Sequence, residues 1–175
     1  LGHDLEVDPV RVLFVCMGNI CRSPMAEAVF LELLRRRGLE SRFEVDSAGT
    51  GGWHAGERAD PRTLATLTRH GIDYSGRARQ VRPHDFDHYD YILAMDDQNL
   101  IDLRAWQAFA PDRVSLLLSW DPSAPRADVP DPYYGGPDGF EMIYALITSA
   151  CEAFLDQVYR KSVDHNEPLN DREAR

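Results

Sequence analysis

Lysine is almost missing from this chain: Lys161 is the single one among 175 residues, so nearly all of the basic side chains are arginine. A skew of that kind follows genome composition or heat adaptation and designates no binding surface. Positive charge is short as well, with 19 basic against 29 acidic residues and a net charge of −10, which disfavours non-specific binding of nucleic acid. The deficit is local: residues 85–141 hold 12 Asp and Glu against 3 Arg, whereas residues 1–84 hold 11 against 12. Cysteine is scarce, and Cys16, Cys21 and Cys151 are too few and too unevenly placed for a disulfide framework. No C-x-x-C pair or Cys/His cluster suggests zinc, and His84 and His88, four apart, lack a third ligand and read as a solvated pair. Long apolar runs are missing too. Val12 to Met17 and Leu116 to Leu118 are far too short to cross a bilayer, and no secretory apolar segment opens the chain, so a soluble cytoplasmic protein with no membrane partner is expected.

What remains suits a globular domain, with 43% hydrophobic and 27% charged residues. One domain is expected over residues 10–161, behind a lead of residues 1–9 that is disordered or left over from cloning, and before a polar tail of residues 162–175. Val10 to Cys16 is a β-branched, apolar run that suits a strand buried on both faces. Ser23 is placed to cap a helix with Pro24 at its first position, and Ala26, Val29, Phe30, Leu33 and Leu34 repeat at helical spacing until Gly38. Phe43 to Ala48 reads as a second strand, and a helix runs from Asp60-Pro61 to about His70. Tyr89 to Met95 is a third strand, Asp96 caps a helix reaching about Phe109, and Val114 to Leu118 is a fourth strand. A proline-rich stretch from Trp120 to Gly139 reads as a long ordered loop before a last helix from Phe140 to Arg160. The alternation predicts an α/β fold: a four-stranded parallel sheet with helices on both faces and ligands at the carboxyl ends of the strands.

The segment after the first strand carries the chemistry. Cys16 ends the strand, Arg22 follows six residues later, and a helix starts at once. A loop wrapped between them turns successive backbone N–H groups inward as an anion nest, and Gly18 and Asn19 tolerate the positive φ that such a wrap needs. The helix amino terminus adds partial positive charge, and the planar fork of Arg22 suits two phosphate oxygens at once. That field favours a Cys16 thiolate, a nucleophile toward bound phosphorus, while Ser23 is able to donate a hydrogen bond to it. A buried strand cysteine is the competing reading of Cys16. Asp131, in Asp-Pro, reads from its own surroundings as turn chemistry.

The run VLFVCMGNICRSPMAEAVF, with DSAGT, DPR, HGI, RARQV, DYILAMD and DPYYGG further on, closely resembles the low-molecular-weight protein tyrosine phosphatases. The resemblance implies a flavodoxin-like three-layer sandwich and hydrolysis of phosphotyrosine through a phosphocysteine intermediate, without metal or other cofactor. It implies Cys16 as nucleophile, Arg22 as phosphate clamp, Ser23 as partner of the thiolate and Asp131 as general acid and then base. Met17, Gly18, Asn19, Ile20 and Cys21 would surround the phosphate. Tyr133 and Tyr134 would flank the cleft, with Trp53 as its opposite wall. Asn19 and Ser47 match loop-bracing positions. The family often has a His where this chain has Gly76, so the brace must differ here, with Asp96 retained as the acidic partner; either Arg77 or Arg79 compensates, or the rigidity of the loop and the pKa of the thiolate are altered. Cys21 matches a cysteine that pairs reversibly with the nucleophile. Tyrosine-phosphorylated proteins would be the partners, phosphate and similar oxyanions the inhibitors, and a monomer or weak dimer the working form.

Four alternatives remain open. Arsenate reductases need further cysteines near residues 80–95, where this chain has none. Protein-arginine phosphatases typically carry Thr in place of Ile20. A non-catalytic phosphate-binding module, or a nucleotide-binding flavodoxin-like one, would need neither nucleophile nor acid.

Overall fold

The computed structural model describes residues 8–133 and 135–164; Tyr134, most of the lead and the end of the tail lie outside the described residues. Strand β1 (Val10–Cys16) pairs in parallel with β2 (Phe43–Gly49) on one side and β3 (Tyr91–Ala94) on the other. Strand β4 (Val114–Leu116) adds to β3, giving an all-parallel sheet in the order β2-β1-β3-β4.

The period of two along β1 sorts its side chains into two cores. Val12, Phe14 and Cys16 join the apolar faces of α1 (Arg22–Arg37) and α5 (Pro137–Asp164). Leu13 and Val15 join Phe86, Leu103 and Ile92 on the opposite face, where α3 (Asp85–His88) and α4 (Asp97–Arg104) lie. Helices therefore cover both faces, as the alternation predicts, and explain why the middle of β1 has no polar side chain. On the first face Phe30 is an aromatic hub, with ring centroids 5.7 Å from Phe14, 5.6 Å from Phe43 and 5.7 Å from Phe154. The remaining helix, α2 (Pro61–Arg69), packs beside α1 and α5, its start capped by the Asp60 side chain accepting from the Arg62 N–H.

Several boundaries differ from expectation for identifiable reasons. Helix α4 ends at Arg104 instead of Phe109, because the chain turns there and brings Trp106 and Phe109 each within 6.3 Å of the Phe86 ring. Strand β3 starts at Tyr91, since the Tyr89 N–H closes α3 on the Asp85 carbonyl. Strand β4 gives way after Leu116 to a 3-10 turn, Leu117–Trp120, that buries Leu117 and Leu118. Helix α5 starts before Phe140 and continues past Arg160 to Asp164. Ser23 is not the cap of α1: Cys21 holds that position without a side-chain bond, and Ser23 lies inside the helix with its hydroxyl turned to Cys16.

The proline-rich stretch is ordered by one backbone contact. Val129, fully buried, donates its N–H to the Met95 carbonyl at 2.8 Å, so the far end of the loop is fastened to the end of β3. Asp131 follows two residues later.

The packing assigns unequal weights to neighbouring residues of α1. Phe30→Ala is expected to cost about 3–5 kcal/mol in a urea melt, the range for a fully buried aromatic. Leu31→Ala, at a position 41% exposed, should stay within about 0.5 kcal/mol; equal losses would contradict the assignment.

Candidate active site

Chain order reverses direction across the sheet between β1 and β3, and ligands of open parallel sheets bind at such a point, outside the carboxyl ends of the strands. Cys16 ends β1 there, and Met95 and Asp96 follow β3 beside it. The loop from Met17 to Cys21 turns back on itself, with Asn19 in the left-handed region at φ 56°. Gly18 is not in that region, contrary to expectation. Its value is space, because a Cβ there would lie 3.1 Å from the His54 ring. Among the described residues, no backbone N–H from Met17 to Cys21 meets a protein acceptor. A run of unpaired donors at a helix start is the makings of an anion site.

The β2 exit holds this loop from outside. Thr50 and Gly51 donate their N–H groups to the carbonyls of Cys16 and Met17, at 2.9 and 3.0 Å. Such closeness requires Gly49, where a Cβ would lie 2.8 Å from the Met17 carbonyl oxygen.

Cys16 is almost fully buried, and its Sγ lies 3.0 Å from Ser23 Oγ. Arg22 is 3% exposed; its Nη1 donates to Asp96 at 2.5 Å and to the Val129 carbonyl at 3.0 Å, while Nη2 lies 3.8 Å from Asp131. Burial opposes the Arg22 charge, but Cys16, Asp96 and Asp131 outweigh it and hold the guanidinium more firmly protonated than usual. Asp131 accepts the Tyr133 N–H on one carboxylate oxygen and turns the other toward Arg22.

These groups share a cleft of about 310 Å³ in which Cys16 and Arg22 are buried and which Met17, Gly18, Ile20, Trp53, His54 and Tyr133 also line. Trp53 is 73% exposed, an unusual position for the largest apolar side chain, and lines the cleft together with Asp131 and Tyr133. Cys21 also lines the cleft. Burial first, then Asp60, Cys16 and Asp131, pushes its thiol up to about 12.

Asn19, Ser23 and Ser47 are joined by hydrogen bonds behind the loop. Asn19 Nδ2 donates to Ser23 at 2.8 Å and to Ser47 at 3.0 Å. The acid of this network is Glu27, which accepts from Ser47 at 2.6 Å and from Tyr74 at 3.0 Å. Asp96 is instead occupied with Arg22 and with capping α4 through Asn99. Arg77 and the Arg79 guanidinium do not take part: Arg77 donates to the Gly56 carbonyl, and Arg79 pairs with Asp46 and Asp85, its backbone N–H alone reaching Asn19.

Reasoning from sequence missed four contributors. Glu27 and Tyr74 carry the brace. His54 leans on the loop with its Nδ1 held 2.7 Å from Glu57. Arg62 fixes the aromatic wall, donating to the Tyr133 carbonyl at 2.9 Å with its guanidinium 5.4 Å from that ring. The segment DPR was the one available signal for Arg62. The His84 and His88 rings lie 5.4 Å apart and tilted, with His88 bonded to Glu44, and no cluster of three or more potential ligands for a metal ion occurs among the described residues.

Residues 11–164 match the family model described as low molecular weight phosphotyrosine protein phosphatase. Among curated relatives, the low molecular weight protein-tyrosine-phosphatase YfkJ of Bacillus subtilis is 46% identical over 154 residues, spanning 87% of this chain and 97% of the relative. The Streptomyces coelicolor low molecular weight protein-tyrosine-phosphatase is 49% identical over 152 residues, spanning 85% of this chain and 93% of the relative. The crystal structure of YfkJ superposes with a TM-score of 0.84 over 89% of this chain and 98% of that one. That of the Drosophila arginine phosphatase DARP superposes with a TM-score of 0.78 at 36% identity, over 84% of this chain and 96% of that one. The matched span takes in the Cys16 loop, the Asp131 loop and every strand of the sheet, and the chain belongs to the low molecular weight phosphotyrosine protein phosphatase family.

Proposed function

We propose that this protein hydrolyses phosphotyrosine in protein substrates through a phosphocysteine intermediate on Cys16. The observation that carries the reading is the convergence of Cys16, Arg22 and Asp131 on one cleft whose loop offers unpaired backbone donors. The phosphoryl oxygens would take those donors and the Nη2 edge of Arg22. The Cys16 thiolate then attacks phosphorus, forming an S–P bond as the P–O bond to the tyrosine breaks. Asp131 gives its proton to the departing phenolate oxygen. In the second half Asp131 takes a proton from water, the water oxygen bonds to phosphorus and the S–P bond breaks. Ser23 donates to the sulfur as it regains negative charge.

Trp53 and Tyr133 would hold the phenyl ring between them, and Ile20 presents an apolar edge at the rim. That lining favours an aryl phosphate, whereas the likeness to an arginine phosphatase supports phosphoarginine as the second reading. We assign the activity to residues 10–161 acting as one domain, in the cytoplasm, as a monomer or weak dimer, with phosphate and similar oxyanions as inhibitors. Among the described residues no helix is long and apolar enough to cross a membrane.

Steady-state hydrolysis of phosphotyrosine, phosphoserine and phosphoarginine peptides, without added metal, tests the assignment. Phosphotyrosine should be preferred, Cys16→Ser should be inactive, and Asp131→Ala should lose about 10²- to 10⁴-fold in kcat. Preference for phosphoarginine would overturn the substrate, and phosphate binding without hydrolysis would favour a binding module.

We also assign Cys21 as the thiol that captures an oxidised Cys16, attacking the sulfenic sulfur as thiolate and releasing hydroxide to give the Cys16–Cys21 disulfide. A thiol titrating near 12 is protonated at neutral pH, so after brief peroxide treatment disulfide closure should speed up about tenfold per pH unit between pH 7 and 9. Intact mass with time reads it. A pH-independent rate, or no internal disulfide, would contradict the role.

A further inference from the structure

The Asn19 amide has every polar atom committed, and that fixes the direction of each hydrogen bond around it. Its Oδ1 accepts the Arg79 backbone N–H at 3.0 Å, so the Nδ2 edge must face the two serines. Both amide protons are then spent, one on Ser23 Oγ at 2.8 Å and the other on Ser47 Oγ at 3.0 Å. Each serine oxygen has become an acceptor, and each hydroxyl proton must go elsewhere. The Ser47 proton goes to Glu27 Oε1 at 2.6 Å. The Ser23 proton has Cys16 Sγ at 3.0 Å, against the Ala48 carbonyl at a marginal 3.5 Å. The polarity of the whole relay therefore depends on Glu27 remaining an acceptor.

Glu27 is not well placed to remain one. Burial raises its pKa, and the neighbouring Asp46 carboxylate pushes the same way; Ser47, Tyr74 and the Arg79 guanidinium oppose them. Tyr74 donates to the very oxygen that Ser47 uses, at 3.0 Å. A protonated Glu27 would donate back toward Ser47, compete with Asn19 for the Ser47 oxygen and loosen the amide that orients Ser23.

Gly76 makes this arrangement possible. A Cβ at position 76 would lie 2.2 Å from the Tyr74 hydroxyl oxygen and 2.5 Å from the carbon that bears it. Gly76 is outside the positive-φ region, so its role is to leave space. The hydroxyl occupies the volume into which any side chain at 76 would project. The departure from the family pattern at Gly76 and the presence of Tyr74 are thus one feature of this chain.

We propose that Tyr74 is a positioning residue for the reaction at Cys16, holding Glu27 as the terminal acceptor of a relay through Ser47 and Asn19 that makes Ser23 a donor to the nucleophile. This rests on the assignment of Cys16 as nucleophile. Tyr74 touches neither the cleft nor the substrate, so its influence should appear in the state of the Cys16 sulfur.

The test measures Cys16 alkylation by iodoacetate against pH, with peptide mapping, beside kcat and KM for an aryl phosphate, in wild type, Tyr74→Phe, Gly76→Ala and the double variant. Removing a hydrogen bond to an ionised carboxylate changes an equilibrium about tenfold, and part of that is lost along the relay. In Tyr74→Phe the alkylation midpoint should rise by about half to one pH unit, and kcat should fall about three- to tenfold with KM nearly unchanged. Gly76→Ala should reproduce both effects by displacing the hydroxyl, and the double variant should be no worse than either single one. An unchanged midpoint in either single variant overturns the proposal, including where activity falls through loss of structure alone. Additive losses in the double variant overturn the link between Gly76 and Tyr74. If the wild type hydrolyses no aryl phosphate, the proposed activity fails while the alkylation midpoints still decide the role of Tyr74.

Discussion

A guanidinium that is 3% exposed must be surrounded by acceptors, and those around Arg22 come from two stretches of chain far apart in sequence. Asp96 comes from the end of β3, the Val129 carbonyl from the far side of the proline-rich loop, and Asp131 from two residues further on. Removing one partner from such a group leaves a buried charge uncompensated, which costs about 3–5 kcal/mol. The demand of one arginine thus gathers the end of the sheet, the loop with the acid and the start of α1 at a single point. Its remaining edge is what the cleft offers to an anion.

Around that point the protein keeps two kinds of polar order apart. The Arg22 side is an ion-pair cluster that faces the cleft, whereas the Asn19 side is a chain of amide and hydroxyl groups packed behind the loop and ending on the Glu27 carboxylate. The first is suited to binding phosphate, and the second fixes the loop and the direction of the Ser23 hydroxyl. Glycine at 49 lets the β2 exit approach the loop closely enough to hold it, and the buried aromatic cluster around Phe30 seats the helix from which Arg22 and Ser23 project. A loop with unpaired backbone donors persists only where its surroundings are this closely determined.

The sequence was most legible where cause and effect lie close together. The strand ending at Cys16, the loop and the arginine at the helix start occupy one short stretch, and their residue types point to one purpose. Ser23 shows the limit of local rules: its type suits a cap, but the sulfur of Cys16 claims its hydroxyl. Gly18 suits a positive φ by residue type but serves instead to admit His54. Asp131 became meaningful only through resemblance, because its approach to Arg22 depends on the Val129 to Met95 contact across the molecule. Glu27 and Tyr74, 47 residues apart, carried no signal of their own. Either one taken alone is an ordinary residue of a helix or a loop, and only the fold makes them a pair.

The central claim is that phosphate passes through the sulfur of Cys16. Rapid acid quenching during turnover of an aryl phosphate, followed by peptide mass mapping, tests it most directly. The account predicts one phosphate on the peptide containing Cys16, accumulating further in Asp131→Ala when the substrate is a nitrophenyl phosphate, whose phenolate departs without a proton so that only water attack is slowed. A phosphate on His54, or turnover with no phosphorylated peptide at any quench time, would contradict it.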